Sequence, residues 1–187
     1  IYIQYFKRTM MPPLAVTLGD PAGIGPEVAA KCVARLADAA GQRPILLIGS
    51  RWALQKGAEA AGCEAAVAGI ATLTHPNDLQ GRVGLLDLGG NAEGFEFGAV
   101  SPACGAVAVA AVEQAAAYCL DGSLAGMVTC PLNKAAIHAA GFVDDLGHQE
   151  ILARLTGAKW TATMLMTPGL RVVHLSTHKS LIEAARF

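Results

Sequence analysis

The chain has 187 residues, of which 53% are hydrophobic and 16% are charged, a composition that excludes a largely disordered protein. Its 14 Lys and Arg residues nearly balance its 15 Asp and Glu residues, and the net charge of -1 argues against nucleic acid and anionic membrane surfaces as partners. The five cysteines form no Cys-x-x-Cys pair, which predicts reduced, mostly buried thiols and a cytoplasmic location.

The N-terminal residues 1–11 precede the first predicted strand and are interpreted as a tail or extension outside the fold. They lack the apolar stretch and cleavage site of a secretory signal. The charge-free run at 97–112 is shorter than the roughly 20 residues of a membrane-spanning helix and contains a proline. We therefore predict no transmembrane segment.

Strands and helices alternate along the rest of the chain. The predicted elements are, in order, a strand at 14–18, a helix at 26–39, a strand at 44–48, a helix at 51–61, a strand at 83–88, a helix at 102–119, a strand at 124–129, helices at 131–140 and 149–156, strands at 161–166 and 170–176, and a helix from 179. This order predicts an α/β fold with a mostly parallel sheet flanked by helices. In such folds ligands bind beyond the carboxyl ends of the strands.

The first motif, Gly-Asp-Pro-Ala-Gly-Ile-Gly-Pro-Glu at 19–27, lies between a predicted strand and a predicted helix. Its exposed backbone amides near a helix N-terminus would suit an anion. The glycine spacing does not match the dinucleotide fingerprint, and no Lys-Ser/Thr pair follows as in a phosphate-binding Walker loop. A rigid turn that only directs the helix is the alternative interpretation.

Two further motifs contain histidines. The segment 147–150 places His148 and Gln149 at a helix start, where they could contact a substrate or simply lie at the surface. The predicted buried strand at 170–176 carries His174 and is followed by His178, which is well placed for a metal. His174 is interpreted as a hydrogen-bonded core residue.

The segment 129–134 ends another predicted strand. Its Lys134, in the first turn of a helix, either meets phosphate as a point charge or is solvated. Cys130 is interpreted as a packed thiol, because no histidine is placed beside it to activate a nucleophile.

These motifs, in this order, resemble the 4-hydroxythreonine-4-phosphate dehydrogenase family. The similarity rests on the motif at 19–27, Val-Thr-Cys-Pro-Leu-Asn-Lys at 128–134, Gly-His-Gln-Glu at 147–150 and Leu-Arg-Val-Val-His-Leu-Ser-Thr-His at 170–178. The resemblance implies a fold like that of isocitrate and isopropylmalate dehydrogenases. It also implies a homodimer, NAD as cofactor, a divalent metal (Zn, Mg or Co) and a phosphorylated hydroxy-acid substrate.

Carried over by motif, His148 and Gln149 are implied substrate contacts and His178 is one of three implied metal ligands. Gln149 stands where the family has threonine, and Asn133 stands where it has histidine. Both differences are associated with relatives that act on four-carbon sugar-acid phosphates. Family members are far longer, so residues 12–187 are interpreted as the N-terminal part of an α/β dehydrogenase whose C-terminal portion is absent, and this chain alone is expected to be inactive.

The implied function is NAD-dependent, metal-assisted oxidation, with decarboxylation, of 4-hydroxythreonine 4-phosphate in pyridoxal phosphate biosynthesis. Three alternatives stay open at this point. The substrate could be erythronate 4-phosphate, threonate 4-phosphate or a cyclic diol carboxylate. The protein could instead be a phosphate-binding transferase of the same architecture, or a non-catalytic dimerisation module.

Overall fold

A computed structural model describes residues 12–36, 43–79, 82–90, 96–174, 176 and 180–186. Its elements are β1 (Leu14–Thr17), α1 (Gly25–Leu36), β2 (Ile45–Gly49), α2 (Arg51–Ala61), α3 (Glu64–Ala68), β3 (Ala71–Leu73), a 3-10 turn (Pro76–Asp78), β4 (Val83–Asp87), α4 (Pro102–Leu120), β5 (Gly126–Thr129), α5 (Lys134–Ala139), α6 (His148–Thr156), β6 (Met164–Thr167), β7 (Leu170–Val173) and α7 (Leu181–Ala184).

The main sheet has five strands in the order β3-β4-β2-β1-β5, and every neighbouring pair is parallel. Thr17, at the end of the fourth strand in this order, β1, lies opposite Ile48 of β2 on one side and Thr129 of the edge strand β5 on the other. The predicted α/β fold with a mostly parallel sheet flanked by helices is confirmed.

Helices cover both faces of this sheet. On one face α1, α2 and α3 pack over a cluster that includes Leu18, Leu47 and Leu85. On the other face α4 packs over a second cluster around Ala15 and Ile48. A third cluster joins α4 to α5 and α6 and is formed by Val109, Val112, Ile137 and Ile151. The result is a three-layer architecture in which parallel strands are buried on both sides.

The helix α4 begins at a capping serine, because Ser101 Oγ accepts a hydrogen bond from the Cys104 amide at 3.4 Å. Among the helices that the structure describes, α4 alone is long and apolar enough to cross a membrane. Eight of its residues are buried in the protein, including Ala108 and Val112. We therefore interpret α4 as a core helix.

Some elements differ from the sequence-based expectation. The short helix α3 and the edge strand β3 were not predicted, because both are short and neither has a clear hydrophobic period. The helix α5 begins at Lys134 rather than at 131, since Asn133 Oδ1 accepts a hydrogen bond from the Ala136 amide at 3.2 Å and caps it. All five cysteines are free, as predicted, but only Cys104 and Cys130 are buried.

The prediction of a buried strand at 170–176 is wrong. Among the described strands, β7 pairs only with β6, in an antiparallel hairpin outside the main sheet, and all four of its residues are exposed. The apolar run Leu170–Val173 is typical of a buried strand, but hydropathy alone does not say which part of the protein covers it. His174 follows β7 and is half-buried, outside the three core clusters, so its interpretation as a core residue is also wrong.

Candidate functional site

The candidate site lies at the carboxyl end of the sheet, between β1 and β5. The helix that follows β1 packs on one face of the sheet, whereas the helix that follows β5 packs against α4 on the other face. Adjacent parallel strands whose connections leave in opposite directions open a crevice between them, and ligands of α/β proteins bind in that crevice. The motifs at 19–27 and 128–134 form its two walls.

The wall after β1 is a tight turn that leans on the loop after β5. Gly19 has a φ of +70°, and a Cβ at this position would lie 2.3 Å from the Pro131 carbonyl oxygen. Only glycine allows this approach. The Asp20 amide donates to the same carbonyl at 2.9 Å. The two loops are therefore fixed to each other at the base of the crevice.

The same turn uses its own amides internally. The buried Asp20 side chain accepts a hydrogen bond from the Ala22 amide at 2.9 Å, and the Asp20 carbonyl accepts one from the Gly23 amide at 3.0 Å. Burial raises the pKa of Asp20, and the Ala22 amide acts in the opposite direction. With these two amides engaged and a carboxyl group in the turn, the geometry favours the rigid-turn interpretation over an anion cradle.

His148 stands at the start of α6, and its half-buried ring contacts the loop after β5. Burial lowers the pKa of His148, while the backbone of Cys130 close to the ring acts in the opposite direction. Nε2 is buried and has no hydrogen-bond partner in the protein. Buried polar atoms are normally paired, so the unpartnered nitrogen marks His148 as a candidate ligand contact.

The helix that carries His148 is held in place by Arg154. Its guanidinium donates to Asp145 at 2.8 Å and to Glu113 on α4 at 3.0 Å. Asp145 is buried, so this ion pair is screened less by solvent than a surface pair. Arg154 therefore fixes the orientation of α6 relative to α4. Sequence reasoning missed this contact, because nothing in the local pattern links Glu113 to Arg154.

Gln149, the second predicted substrate contact, has both amide atoms engaged within the protein. Its Nε2 donates to Thr161 Oγ1 at 2.8 Å, and its Oε1 accepts from Thr163 Oγ1 at 3.0 Å. These contacts join α6 to the segment that leads into β6. The length of glutamine allows both bonds, and the structure therefore gives Gln149 a structural contact alongside its predicted role with substrate.

Replacing Gln149 with alanine is expected to loosen the segment before β6. Two exposed hydrogen bonds would be lost, and backbone amides near Thr163 would exchange with deuterium about tenfold faster, as expected for about 1 kcal/mol of local stability. Hydrogen exchange measured by mass spectrometry tests this. Thr156→Ala is the matched control, because its hydroxyl bonds only within α6. Unchanged exchange in Gln149→Ala would contradict the assignment.

Three further side chains of the motif at 128–134 lie directly after β5 or at the start of α5. Lys134 lies in the first turn of α5, as predicted, and is exposed. Asn133 caps that helix. Burial, the larger cause, and the nearby Cys32 thiol raise the pKa of Cys130 to about 11, so its thiol is protonated at neutral pH and fits the predicted packed role.

A further polar cluster at this end of the sheet was not identified from the sequence. Asp87, the last residue of β4, accepts hydrogen bonds from the amides of Arg51 and Gly89, both at 3.0 Å. Ser50 Oγ donates to the Gly89 carbonyl, so its side chain does not cap the following helix α2. The available signal was an acidic residue ending a strand just before two glycines.

The metal prediction falls on a residue outside the described part of the chain. His178 is not among the described residues, and His174 lies just after the exposed strand β7. Among the residues that the structure describes, no three His, Cys, Asp or Glu side chains come together as a metal site requires. The described residues therefore do not supply the donor set of a metal site.

Comparison with known proteins identifies the family. Residues 41–187 match the family model described as pyridoxal phosphate biosynthetic protein PdxA. The chain belongs to this family. It is 37% identical over 176 residues to the D-threonate 4-phosphate dehydrogenase of Cupriavidus necator, a match that covers 94% of this chain and 52% of the relative.

Two other family members are similar. The 4-hydroxythreonine-4-phosphate dehydrogenase of Beijerinckia indica is 35% identical over 174 residues, covering 93% of this chain and 50% of the relative. The crystal structure of a 4-hydroxythreonine-4-phosphate dehydrogenase from Burkholderia phymatum superposes with a TM-score of 0.78 at 31% identity, covering 94% of this chain and 53% of that one. The chain thus spans about half the length of the PdxA relatives that it matches.

Proposed function

We propose that an enzyme carrying this chain oxidises a secondary alcohol of a four-carbon hydroxy acid that is phosphorylated on C4, with NAD as the hydride acceptor. D-threonate 4-phosphate is the first candidate, because a dehydrogenase of that substrate is 37% identical to this chain. The observation that carries the proposal is the buried, unpartnered Nε2 of His148 at the crevice between β1 and β5. It offers a position where a substrate could bind.

The proposed reaction balances in two steps. The alcohol carbon at C3 loses a hydride, which NAD accepts when bound, and the hydroxyl loses a proton. The product is a ketone β to the carboxylate, and such an acid loses CO2 readily, after which C2 takes up a proton. For D-threonate 4-phosphate this leaves a three-carbon hydroxyketone phosphate. His148 binds and orients the substrate in this scheme.

4-Hydroxythreonine 4-phosphate is the second candidate, with a role in pyridoxal phosphate biosynthesis. It is favoured by the similarity to the Beijerinckia indica enzyme, which is 35% identical. The same oxidation and decarboxylation would then yield an aminoketone phosphate. Gln149 and Asn133 differ from that branch of the family on the motifs given above, which places this substrate second.

NAD and a divalent metal (Zn, Mg or Co) remain parts of this proposal that rest on the resemblance. The described residues do not supply a metal donor set. The amides of Ala22 and Gly23, which could have faced a cofactor phosphate, are used within the turn. No step above is therefore assigned to a metal, and no residue is assigned to NAD.

We propose His178 as one metal ligand. His178→Ala is expected to weaken the binding of Zn²⁺ or Co²⁺ by at least about tenfold in a full-length enzyme that carries this chain, because a divalent site holds its ion through three or four ligands. Isothermal titration calorimetry measures the affinity. His174→Ala is the matched control and should bind the metal like the parent. Equal affinity in His178→Ala and the parent would refute the assignment.

A homodimer is also proposed, and the β6–β7 hairpin supports it. Its exposed large apolar side chains are Met164, Leu165, Met166, Leu170, Val172 and Val173. An isolated two-stranded hairpin is at best marginally stable, so a second copy of the chain is expected to cover it. Leu165→Lys should convert a dimer into a monomer in size-exclusion chromatography with light scattering. A dimer unaffected by this change would place the interface elsewhere.

The assay for the proposed function follows NADH formation by a full-length enzyme that carries this chain. D-threonate 4-phosphate, erythronate 4-phosphate and 4-hydroxythreonine 4-phosphate are tested in parallel, with and without a chelator. Chelator-sensitive turnover of D-threonate 4-phosphate alone is the expected result. Turnover of 4-hydroxythreonine 4-phosphate alone would establish the second candidate, and turnover of none would overturn the proposal.

We further propose that residues 12–187 form the N-terminal part of this dehydrogenase. A cytoplasmic location is supported by five free cysteines, which suit a reducing compartment.

A further inference from the structure

The loop that leads into His148 buries little of itself. Among residues 143–146, all of which the structure describes, Asp145 alone has a buried side chain. The Asp145 amide donates to the Phe142 carbonyl at 3.3 Å, which closes one backbone turn. Of the nine described residues of α6, Ile151 alone is fully buried. Apolar packing therefore restrains the start of α6, where His148 lies, only weakly.

An ion pair supplies a second restraint. Arg154, in the last turn of α6, donates from Nη2 to Asp145 Oδ2 at 2.8 Å and from Nε to Asp145 Oδ1 at 3.4 Å. Two such bonds between planar groups fix their relative orientation. Asp145 precedes the helix, so the ion pair closes the loop back onto α6. His148 lies inside the closed segment.

The same guanidinium joins this segment to the core helix α4. Its Nη2 also donates to Glu113 Oε1 at 3.0 Å, and Glu113 follows the fully buried Val112. His148, Ile151 and Arg154 are spaced three residues apart, so they are neighbours on one side of α6. Ile151 belongs to the same core cluster as Val112. A rotation of α6 that displaced His148 would therefore break the contacts of Arg154.

The two carboxylates depend on Arg154 to different degrees. The side chain of Asp145 is 6% exposed, whereas that of Glu113 is 36% exposed and can be solvated by water. A buried carboxylate that loses its cation has neither solvent nor a counter-charge. Without Arg154, Asp145 would be driven toward water, and the loop that carries it would move the start of α6.

We propose that Arg154 is a positioning residue of the substrate site: its ion pair with Asp145 holds the segment that ends at His148, and thereby holds Nε2 where the substrate binds. This rests on the proposed function for the substrate contact of His148, and it adds the side chain that fixes that contact. Arg154 acts through His148 and does not itself touch the substrate. Lysine cannot replace it, because an ammonium group lacks the planar fork that engages both oxygens of Asp145.

The test is a double-mutant cycle on kcat/KM in a full-length enzyme that carries this chain. Arg154→Lys and Asp145→Asn are each expected to lower kcat/KM roughly tenfold, because a small displacement of an orienting group is costly. In a His148→Ala background the same changes should alter kcat/KM by at most about twofold, since the group that they position is gone. Equal fold losses in both backgrounds would overturn the proposal.

The matched control is Glu59→Gln, which breaks an exposed ion pair with Lys56 on α2. It should keep the parent's kcat/KM in both backgrounds. Thermal unfolding of each variant shows whether it is folded under the assay conditions. Because one test variant changes the cation and the other changes the carboxylate, a folding failure of one leaves the other to decide.

A second measurement does not need turnover. Ring ¹H–¹³C correlation NMR of the 187-residue chain, with the His148 signal assigned by His148→Gln, reports the surroundings of that ring directly. Arg154→Lys should shift or broaden the His148 signal and leave that of His75, which packs against Tyr118, unchanged. An unchanged His148 signal would overturn the proposal. A shifted signal in a protein whose parent oxidises none of the substrates would support the positioning role and overturn the proposed function alone.

Discussion

Replacing Gly105 with alanine is expected to destabilise the protein by about 2 kcal/mol, although the same change in an exposed helix normally stabilises by about 1 kcal/mol. The reason is steric. A Cβ at Gly105 in α4 would lie 2.2 Å from the Ala136 carbonyl oxygen and 2.7 Å from the Ile137 amide nitrogen of α5. These are backbone atoms, so the two helices would have to separate, and the cluster that contains Ile137 would lose contacts.

Thermal unfolding followed by circular dichroism measures this effect. For a domain of this size, 2 kcal/mol corresponds to a Tm lower by roughly 4–8 °C. Gly69→Ala is the matched control, because Gly69 has a φ of -90° and open space where the Cβ would go. The control should keep or slightly raise Tm. A Gly105→Ala protein as stable as the control would mean that α4 and α5 are farther apart than described.

The second large effect is expected on substrate use. In a full-length enzyme that carries this chain, His148→Ala should lower kcat/KM by roughly 5- to 150-fold, which corresponds to the 1–3 kcal/mol lost when a buried hydrogen-bonding group is left without its partner. The alanine removes the imidazole, including the Nε2 that has no partner within the protein and is proposed to contact the substrate.

Two comparisons separate a role in substrate binding from a role in folding. His148→Gln should keep part of the activity, since its terminal amide can form a hydrogen bond near the position of Nε2, whereas His148→Asn is too short and should not. His75→Ala is the control, because this ring packs against Tyr118 and does not face the crevice. Wild-type kcat/KM in His148→Ala, with an unchanged Tm, would exclude the residue from the site.

Much of the fold could be predicted from the sequence, because parallel strands buried on both faces leave continuous apolar runs. Segments such as Ile45–Gly49 and Val83–Asp87 have this pattern, and glycines or capping residues mark where the helices end. The hairpin β6–β7 has the same hydropathy and is exposed instead. Hydropathy predicts that a strand is buried against another surface but does not identify that surface, so the prediction of a buried strand at 170–176 was wrong.

The candidate site could also be predicted only in part from the sequence. The motif at 147–150 correctly predicted that His148 lies at the start of a helix, since α6 begins at that residue. The two threonines that hold Gln149 and the ion pair of Arg154 depend on tertiary distances that no local pattern contains. Asp20 could be predicted only in part. The Gly and Pro spacing indicates its turn, but nothing in the sequence indicates that its side chain is buried.

The position of β5 beside β1 also has a consequence for the order of folding. More than a hundred residues separate the paired strands, and α4 carries the chain between β4 and β5. Contacts across such a span form late, because the loop that joins them must close first. During synthesis the first four strands can pair while the crevice has only one wall. We therefore expect ligand binding to be the last property gained as the chain folds, and the first lost when α4 is weakened.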